Sequence, residues 1–550
     1  MEKAETKVCQ DCKNSFQIEP EYFTFYEKVG VSLPISCWRC RMKHLLAFWP
    51  FGKFNKRLCD KSGERIISLF PKDARFPVYS NKYWYSDDWA PPNLEYNPSK
   101  SFFDQMYELQ SKTPRPMQLG SNNQNCDYCD DVWQSKNCYL CRSLLECENV
   151  SYSYRTIRCR DSYDLFYCFD TEQSYDCIYC FKVFNVKHSF YTRDSFDSAF
   201  LYDCRDARNC FMCWNLRHRS YCILNEQYTK EVYLEKIKQF NTGSKLELKK
   251  IFEIFNEHIK EDAVHRVDFN TKTVDGVGNY MTECRRCLNS YFFEESENCL
   301  NTIRGFKNKD AVDSVGILRT ELVFNVCQVT DAYNLKNCSN CDNCRESEYL
   351  DFCVGCENCF GCVGLRKKKF CILNKQYGEG TYEEKKGEII ADMKRIGEYG
   401  NFFPYKMAYT GYNLSTSEML FLETKEDVEK LGSFWEDLEQ VNKEGLNVFS
   451  EKDDIKDVDD SVLTLALLCK ETGRPFNVTR AELEFLRRKS IPLPDFYPDV
   501  RTMRRAREIF SISFYDTDCF KCGKRIVAYY SKESGYKKIA CEACYNTEVA

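Results

Sequence analysis

The sequence predicts a mostly β protein with some α-helix, in which small cysteine-paired ribbons flank a duplicated, solenoid-like cysteine-rich array. Three observations predict it. Four segments share a C-x-x-[C/S/T]-[G/K] turn followed by an apolar residue. Residues 126–222 and 284–371 close with the same cysteine spacing and the same six-residue phrase. Short phrases of aromatic and small residues separate the array cysteines, and many of those cysteines lie multiples of nine residues apart, as a stacked repeat requires.

A chain of 550 residues and 65.0 kDa is too long for one core and implies several domains. With 43% hydrophobic and 29% charged residues, the composition is that of a folded protein. A net charge of −5 creates no basic field over the whole molecule, so nucleic-acid binding would need local patches. The outlying number is 35 cysteines. Most fall in C-x-x-C pairs, which set two thiols on one turn, a spacing suited to gripping one ion and unsuited to a disulfide between distant strands. The opening residues MEKAETKVCQ carry charge where a secretory leader is apolar. Reduced thiols and a cytoplasmic location are the expectation. The longest apolar run, 462–468, falls far short of a membrane span, so a soluble chain with no membrane partner is expected.

The four turns are Cys9-Gln-Asp-Cys12-Lys13 ending at Phe16, Cys59-Asp-Lys-Ser62-Gly63 ending at Ile66, Cys469-Lys-Glu-Thr472-Gly473 ending at Phe476, and Cys519-Phe-Lys-Cys522-Gly523 ending at Ile526. A glycine after the second ligand supplies the positive φ that a metal knuckle needs. The last turn is completed by Cys541 and Cys544, a spacing typical of a four-thiolate zinc site, and the first by Cys37 and Cys40 across a helix-like insert. Zn2+ is the expected ion, with Cys9, Cys12, Cys37, Cys40, Cys519, Cys522, Cys541 and Cys544 as its ligands. The Cys469 turn aligns with the first. Phe16 to Pro34 and Phe476 to Pro494 have equal spacing, each followed by a matching arginine, Arg41 and Arg501. Cys12, Cys37 and Cys40 become Thr472, Tyr497 and Val500, so this copy is expected to hold no metal. Ser62 makes the Cys59 copy similarly deficient.

Both array copies open with a cysteine pair, Cys126/Cys129 and Cys284/Cys287. Both close with Cys-x5-Cys-x2-Cys-x8-Cys, at Cys204, Cys210, Cys213, Cys222 and at Cys353, Cys359, Cys362, Cys371. Both continue Ile-Leu-Asn-x-Gln-Tyr, at 223–228 and 372–377, which marks an internal duplication. The nine-residue spacing suggests coils of about two phrases each, with Cys and Ser laddering inside and Tyr and Phe capping the coils. Two uses of the array thiols stand open. They pack as small hydrophobes in the core, or they bind zinc or an iron–sulfur cluster. The metal alternative names Cys126, Cys129, Cys138 and Cys141 with the two closing quartets, and the dense run Cys338, Cys341, Cys344, Cys353, Cys356, Cys359 and Cys362.

Helical periodicity follows each array, at 229–240, 246–259 and 381–396, and these helices are expected to cap the solenoid ends. Residues 401–460 are first aromatic, then acidic and helical, ending in a linker near 451–460. The expected organisation is an N-terminal zinc ribbon (1–58), a degenerate knuckle with an aromatic connector (59–125), array copy 1 (126–225), a helical hairpin (226–275), array copy 2 (276–377), a helical and acidic linker region (378–460), a degenerate ribbon without metal (461–513) and a C-terminal zinc ribbon (514–550).

The opening Cys-x2-Cys with Phe16, 21–26 and 34–41 resembles the zinc-ribbon domain found at the start of many uncharacterised bacterial proteins. Most of the remaining chain is similar to one such cysteine-rich family, through Arg57-Leu-Cys-Asp-Lys-Ser-Gly63, Tyr83-Trp-Tyr-Ser-Asp-Asp-Trp89, Phe102-Phe-Asp-Gln105, Asn358-Cys-Phe-Gly-Cys362, Ile491-Pro-Leu-Pro494 and Cys541-Glu-Ala-Cys-Tyr545. The resemblance implies zinc at the terminal ribbons and brings no activity with it. The arrays hold more cysteine than that family leads one to expect.

Three functions are weighed. A non-enzymatic scaffold would offer a solenoid face and ribbons to a protein or RNA partner. In it the loop 83–89 either contacts the partner or, through Trp84 and Trp89, staples itself to the array. A nucleic-acid or ribosome-associated ribbon protein would use Arg39, Arg41, Lys43 and His44, or Arg487, Arg488 and Lys489, or Arg501, Arg504, Arg505 and Arg507. A thiol or iron–sulfur redox protein would use the C-x-x-C pairs, given a lowered thiol pKa. Hydrolytic chemistry finds no support. None of the five histidines (His44, His188, His218, His258, His265) stands at a catalytic spacing from a C-x-x-C, and there is no P-loop, dinucleotide fingerprint or nucleophile elbow. The sequence specifies neither partner nor oligomeric state.

Overall fold

A computed structural model describes residues 4–51, 53–324, 326–330, 333–336, 338–437, 444–509, 512 and 514–549. The expected domain end at 513 and part of the acidic region, 438–443, lie outside these residues. The fold is mostly β with some helices, and its repeat is a parallel β-solenoid of about 20 turns. Apart from an eleven-residue step at the start of the second array (Val277 with Leu288), the solenoid strands pair in register with residues twelve further along: Cys129 with Cys141, Leu165 with Cys177, Cys210 with Cys222, Ser290 with Thr302, Cys359 with Cys371.

The coil follows from backbone conformation. Every third residue has positive φ, as at Asn125, Tyr128, Asp131, Gln134 and Asn137, and again at Glu283, Arg286, Asn289 and Phe292. A corner every third residue in a twelve-residue coil makes four sides of three residues each, with one inward side chain per side. Left-handed conformation costs a non-glycine residue about 1–2 kcal/mol, least for Asn and Asp, and these recur at corners. Asn125, Asn137, Asn149 and Asp161 form one corner column, joined by amide hydrogen bonds of 3.1, 3.0 and 2.8 Å.

This corrects the expected coil of about two nine-residue phrases. Nine residues are three sides, so inward positions recur at nine without nine being the coil. The interior is narrow and admits small side chains. Ser135, Ser153 and Ser174 each donate to the carbonyl two residues back and accept the amide twelve residues on. The aromatics do not cap the coils. They stack in columns along the outside, as Tyr154 on Phe166 at 5.0 Å and Tyr280 on Phe292 at 4.6 Å.

The repeated phrase Ile-Leu-Asn-x-Gln-Tyr is the solenoid's stop. Leu224 and Asn225, like Leu373 and Asn374, have positive φ at both positions, the two-residue turn of a hairpin. The chain folds back, so that Ile223 pairs antiparallel with Glu226 and Ile372 with Lys375. Asn225 clamps both backbone groups of Trp214 in the preceding coil, and Asn374 those of Val363. The expected helices form at Lys230–Ile237, Lys245–Glu261 and Glu379–Ile396. The hairpins close the strand edges, whereas helix Lys245–Glu261 covers a flank, with Phe252 and Phe255 against Phe200.

The chain forms two compact units, Met1–Gln118 with Asp268–Asp437, and Leu119–Val267 with Leu438–Ala550. Each contains one array and two knuckles. Among the described residues no helix is long and apolar enough to cross a membrane.

Candidate metal centres

All four knuckles adopt one turn. The amide of the first cysteine donates five residues ahead (Cys9 to Asn14, Cys59 to Glu64, Cys469 to Arg474, Cys519 to Lys524), and the amides of Lys13, Gly63, Gly473 and Gly523 return to that cysteine's carbonyl. These four residues have φ of 61, 72, 65 and 70°. The glycines avoid the Cβ penalty of that conformation and Lys13 accepts it. The residue after the first cysteine then donates to a returning strand or loop: Gln10 to Ile35, Asp60 to Val78, Lys470 to Asp495, Phe520 to Ile539. The third ligand position follows two residues later in each, at Cys37, Ser80, Tyr497 and Cys541, and the fourth at Cys40, Tyr83, Val500 and Cys544. The alignment of Thr472, Tyr497 and Val500 with lost ligands therefore holds. Ser80 and Tyr83, not recognised from the sequence, complete the Cys59 copy.

The intact quartets come together. The four sulfurs of Cys9, Cys12, Cys37 and Cys40, and those of Cys519, Cys522, Cys541 and Cys544, lie within 4.8 Å of one another, and no further such group occurs among the described residues. Cys12 and Cys37 are 3.8 Å apart, as are Cys522 and Cys541. A tetrahedron with metal–sulfur bonds of about 2.3 Å has an edge of about 3.8 Å, so the thiols fit a tetrahedral ion. Amide donors aim at the sulfurs, Cys37 N to Cys9 Sγ at 3.2 Å and Cys541 N to Cys519 Sγ at 3.4 Å. The hydrogen bond with Cys40 draws the Cys37 thiol down to about 5 against the opposing effect of burial. Burial pushes the Cys519 thiol up, but amides of Cys522, Cys541 and Lys521 outweigh it and bring it to about 6. Four thiolates leave an ion no open position for substrate, which is the chemistry of a structural site.

Each knuckle is moored to its array near a buried carboxylate. Helix Trp38–Leu46, which begins just after Cys37, sends Arg41 to Asp313 at 2.8 Å, where Tyr26 also donates. The corresponding helix of the degenerate copy, Pro498–Ile509, sends Arg501 and Arg505 to Asp164, with Arg505 also on Asp176 and Tyr152 on Glu482. Tyr545 of the C-terminal knuckle donates to Asp203, which Arg217 also approaches at 3.3 Å. Beside the Cys59 knuckle, Arg115 and Tyr409 meet Asp351. The matched arginines were visible in the sequence. Their carboxylates were not, since Asp is common at solenoid corners.

The array cysteines lie elsewhere. Cys129, Cys138, Cys141, Cys204, Cys210, Cys213, Cys222, Cys353, Cys359, Cys362 and Cys371 are buried along the solenoid core, with Cys126 half-buried beside it. Array thiols meet their neighbours, Cys210 reaching Cys213 and Cys222 and Cys359 reaching Cys362 and Cys371, but neither closing quartet gathers its sulfurs within 4.8 Å of one another as the terminal ones do. Their thiols face oxygen. Cys177 Sγ donates toward Tyr175 O at 3.5 Å and Val186 O at 3.4 Å, and Cys353 Sγ toward Asp351 O at 3.6 Å and Cys362 O at 3.4 Å. Two carbonyls favour S–H over thiolate. Cys338 and Cys341 lie side by side in the core with their sulfurs in contact, and the remaining cysteines are free thiols.

Most of the basic runs are consumed internally. Arg501 and Arg505 are buried in ion pairs and Arg41 is half-buried in its own with Asp313. Lys43 pairs with Glu423, Arg504 with Glu471 and Arg487 with Asp460, while His44 stacks on Tyr405. Trp84 is buried with its Nε1 on Pro114 O, and Trp89 Nε1 donates to Trp84 O, so the loop 83–89 staples itself down. No family model matches the chain, and no curated protein matches it.

Proposed function

We propose that the chain is a cytoplasmic zinc-binding scaffold, a non-enzymatic interaction protein whose two ribbons are structural and whose arrays present rigid solenoid faces to a protein partner. The observation that carries this reading is the pair of four-thiolate groups, each with tetrahedral sulfur spacing and no position left for a substrate. Zinc is favoured because all-thiolate tetrahedral sites suit it and its folding energy would lock ribbons too small to hold themselves. Kinship with the cysteine-rich bacterial family named above belongs to the same proposal and rests on the shared phrases.

The nucleic-acid reading is weakened by cations already paired, and the iron–sulfur reading by array thiols that face carbonyls. Elemental analysis of protein purified without added metal tests the proposal. Two zinc ions per chain, one lost in Cys12→Ser and one in Cys522→Ser, is the expected result. Iron with visible absorbance, or RNA retention that falls steeply with salt, would replace it.

A further inference from the structure

The four walls of the first array differ in what they show to solvent. On one wall Tyr163 and Tyr175 are buried against Phe485 of the degenerate knuckle, and on the next Tyr154, Phe166 and Ile178 are buried. A third wall alternates in charge through Lys136, Glu148, Arg160 and Glu172, as a solvated surface does.

The fourth wall follows neither pattern. Trp133, Leu145, Ile157, Phe169 and Phe181 stand in register on successive coils. Trp133 is 37% exposed and the other four are half-buried. Coils about 4.8 Å apart make this an apolar stripe about 19 Å long. Exposed charged corners border it at Glu146, Arg158 and Lys182. A contiguous apolar patch with a polar rim marks an interaction surface.

The same column then turns basic. Arg193, Arg205 and Arg217 occupy the next three coils in register. Arg193 lies 4.7 Å over the Phe181 ring and so joins the basic segment to the apolar one. Arg217 pairs with Asp203, whereas Arg193 and Arg205 have no ion pair among the described residues. Burial pushes Arg205 below its ordinary value, as do the Arg217 and Arg193 charges, against the opposing effect of Asp203. Like charges held one coil apart favour an anionic partner.

We infer that this wall docks an amphipathic helix of a partner protein, with its apolar face on the stripe and acidic residues at one end on Arg193 and Arg205. A helix repeats one face about every 5.4 Å, close to the coil spacing, whereas an extended strand sets side chains of one face about 7 Å apart. The backbone groups of this wall are spent on neighbouring coils, so it offers no edge for strand addition. About 13 helical residues span the stripe and about two further turns reach the arginines. This docking site rests on the scaffold reading proposed above.

The probe is a fluorescein-labelled synthetic helix with leucines along one face and glutamates in its last two turns, titrated against the full chain by fluorescence anisotropy. Saturable binding is expected, weakened roughly tenfold in Arg193→Glu/Arg205→Glu, in Phe169→Gln/Phe181→Gln, and when lysines replace the glutamates of the probe. No saturable binding, or an affinity unchanged in either folded double variant or with the lysine probe, overturns it. So does a dimer in sedimentation that Phe169→Gln/Phe181→Gln breaks, which makes a second copy the occupant, or a single-stranded RNA that displaces the probe at lower concentration. Should a variant not fold, the lysine probe on the unaltered chain decides alone. Zinc content of the same samples separates the two readings: two zinc ions without probe binding sinks the docking site and leaves the metal sites standing.

Discussion

Arg41, one residue beyond Cys40 of the first thiol quartet, reaches the buried carboxylate of Asp313 at 2.8 Å. Asn301 also donates to that carboxylate at 2.9 Å, from the adjacent coil of the array. Helix Trp38–Leu46 and the wall of the solenoid are thus joined through one ion pair. The degenerate copy keeps the same joint through Arg501 and Asp164 and adds Arg505, Glu482 and Tyr152. Where three of the four thiols are replaced, the mooring is larger.

Removing one member of this pair leaves a charge buried without its counterion. Arg41→Met is expected to destabilise the first unit by about 3 kcal/mol, read as a lowered denaturant midpoint. The double variant Arg41→Met/Asp313→Leu is expected to recover most of that loss. A double variant no better than the single would show that the pair is not what joins ribbon to array.

The array thiols are expected to act as core, not as ligands. Burial raises the Cys177 thiol above its ordinary value against the opposing effect of the Cys180 thiol, and the sulfur also faces the carbonyls of Tyr175 and Val186. Cys177→Ala should cost about 1–2 kcal/mol and leave the metal content per chain unchanged. Cys177→Asp sets a carboxylate against two carbonyls and should abolish folding. A fall in bound metal in Cys177→Ala would return the array to the metal-binding reading.

The Cys59 turn retains its geometry, so ligands alone should restore a site. Ser62→Cys, Ser80→Cys and Tyr83→Cys together are expected to add one bound metal ion per chain. The equivalent change at Thr472, Tyr497 and Val500 should do so less readily, because Tyr497 packs against Phe476 and Arg474. Unchanged stoichiometry in the first triple variant would mean that the positions are misassigned.

His265 titrates far from its ordinary range. Burial lowers it to about 3, against a smaller opposing effect of the Ile259 carbonyl. Its ring accepts or donates at 2.7 Å with Tyr202 and meets Ile259 O at 2.8 Å. The unfolded chain binds a proton near pH 6.5 that the folded one refuses, so stability present above pH 6.5 is lost as pH falls toward 3. Between pH 7 and 4.5 the loss should be about 3 kcal/mol, and His265→Gln should flatten that slope. An unaltered slope in the variant would assign the acid sensitivity to other groups.

The residue order by itself determined the paired turns, the loss of ligands at Thr472, Tyr497 and Val500, the duplication and the helices after each array. All of these are local: spacing within a turn and helical periodicity are written in neighbouring residues. The coil length was only half legible. Every inward position lies three residues from the next, so intervals of nine and twelve look alike along the chain, and only strand register separates them. The third and fourth ligand slots at Ser80 and Tyr83, and the pairing of Arg41 with Asp313 and of Arg501 with Asp164, join segments remote in the chain. Tertiary structure alone decided them, because a buried charge selects its partner by proximity in space and leaves no periodic trace. The same holds for the cysteines. Those on one knuckle converge because two turns meet, whereas those in the arrays run along the coil and meet only their immediate neighbours, so no quartet closes there, although their spacing on paper is nearly the same.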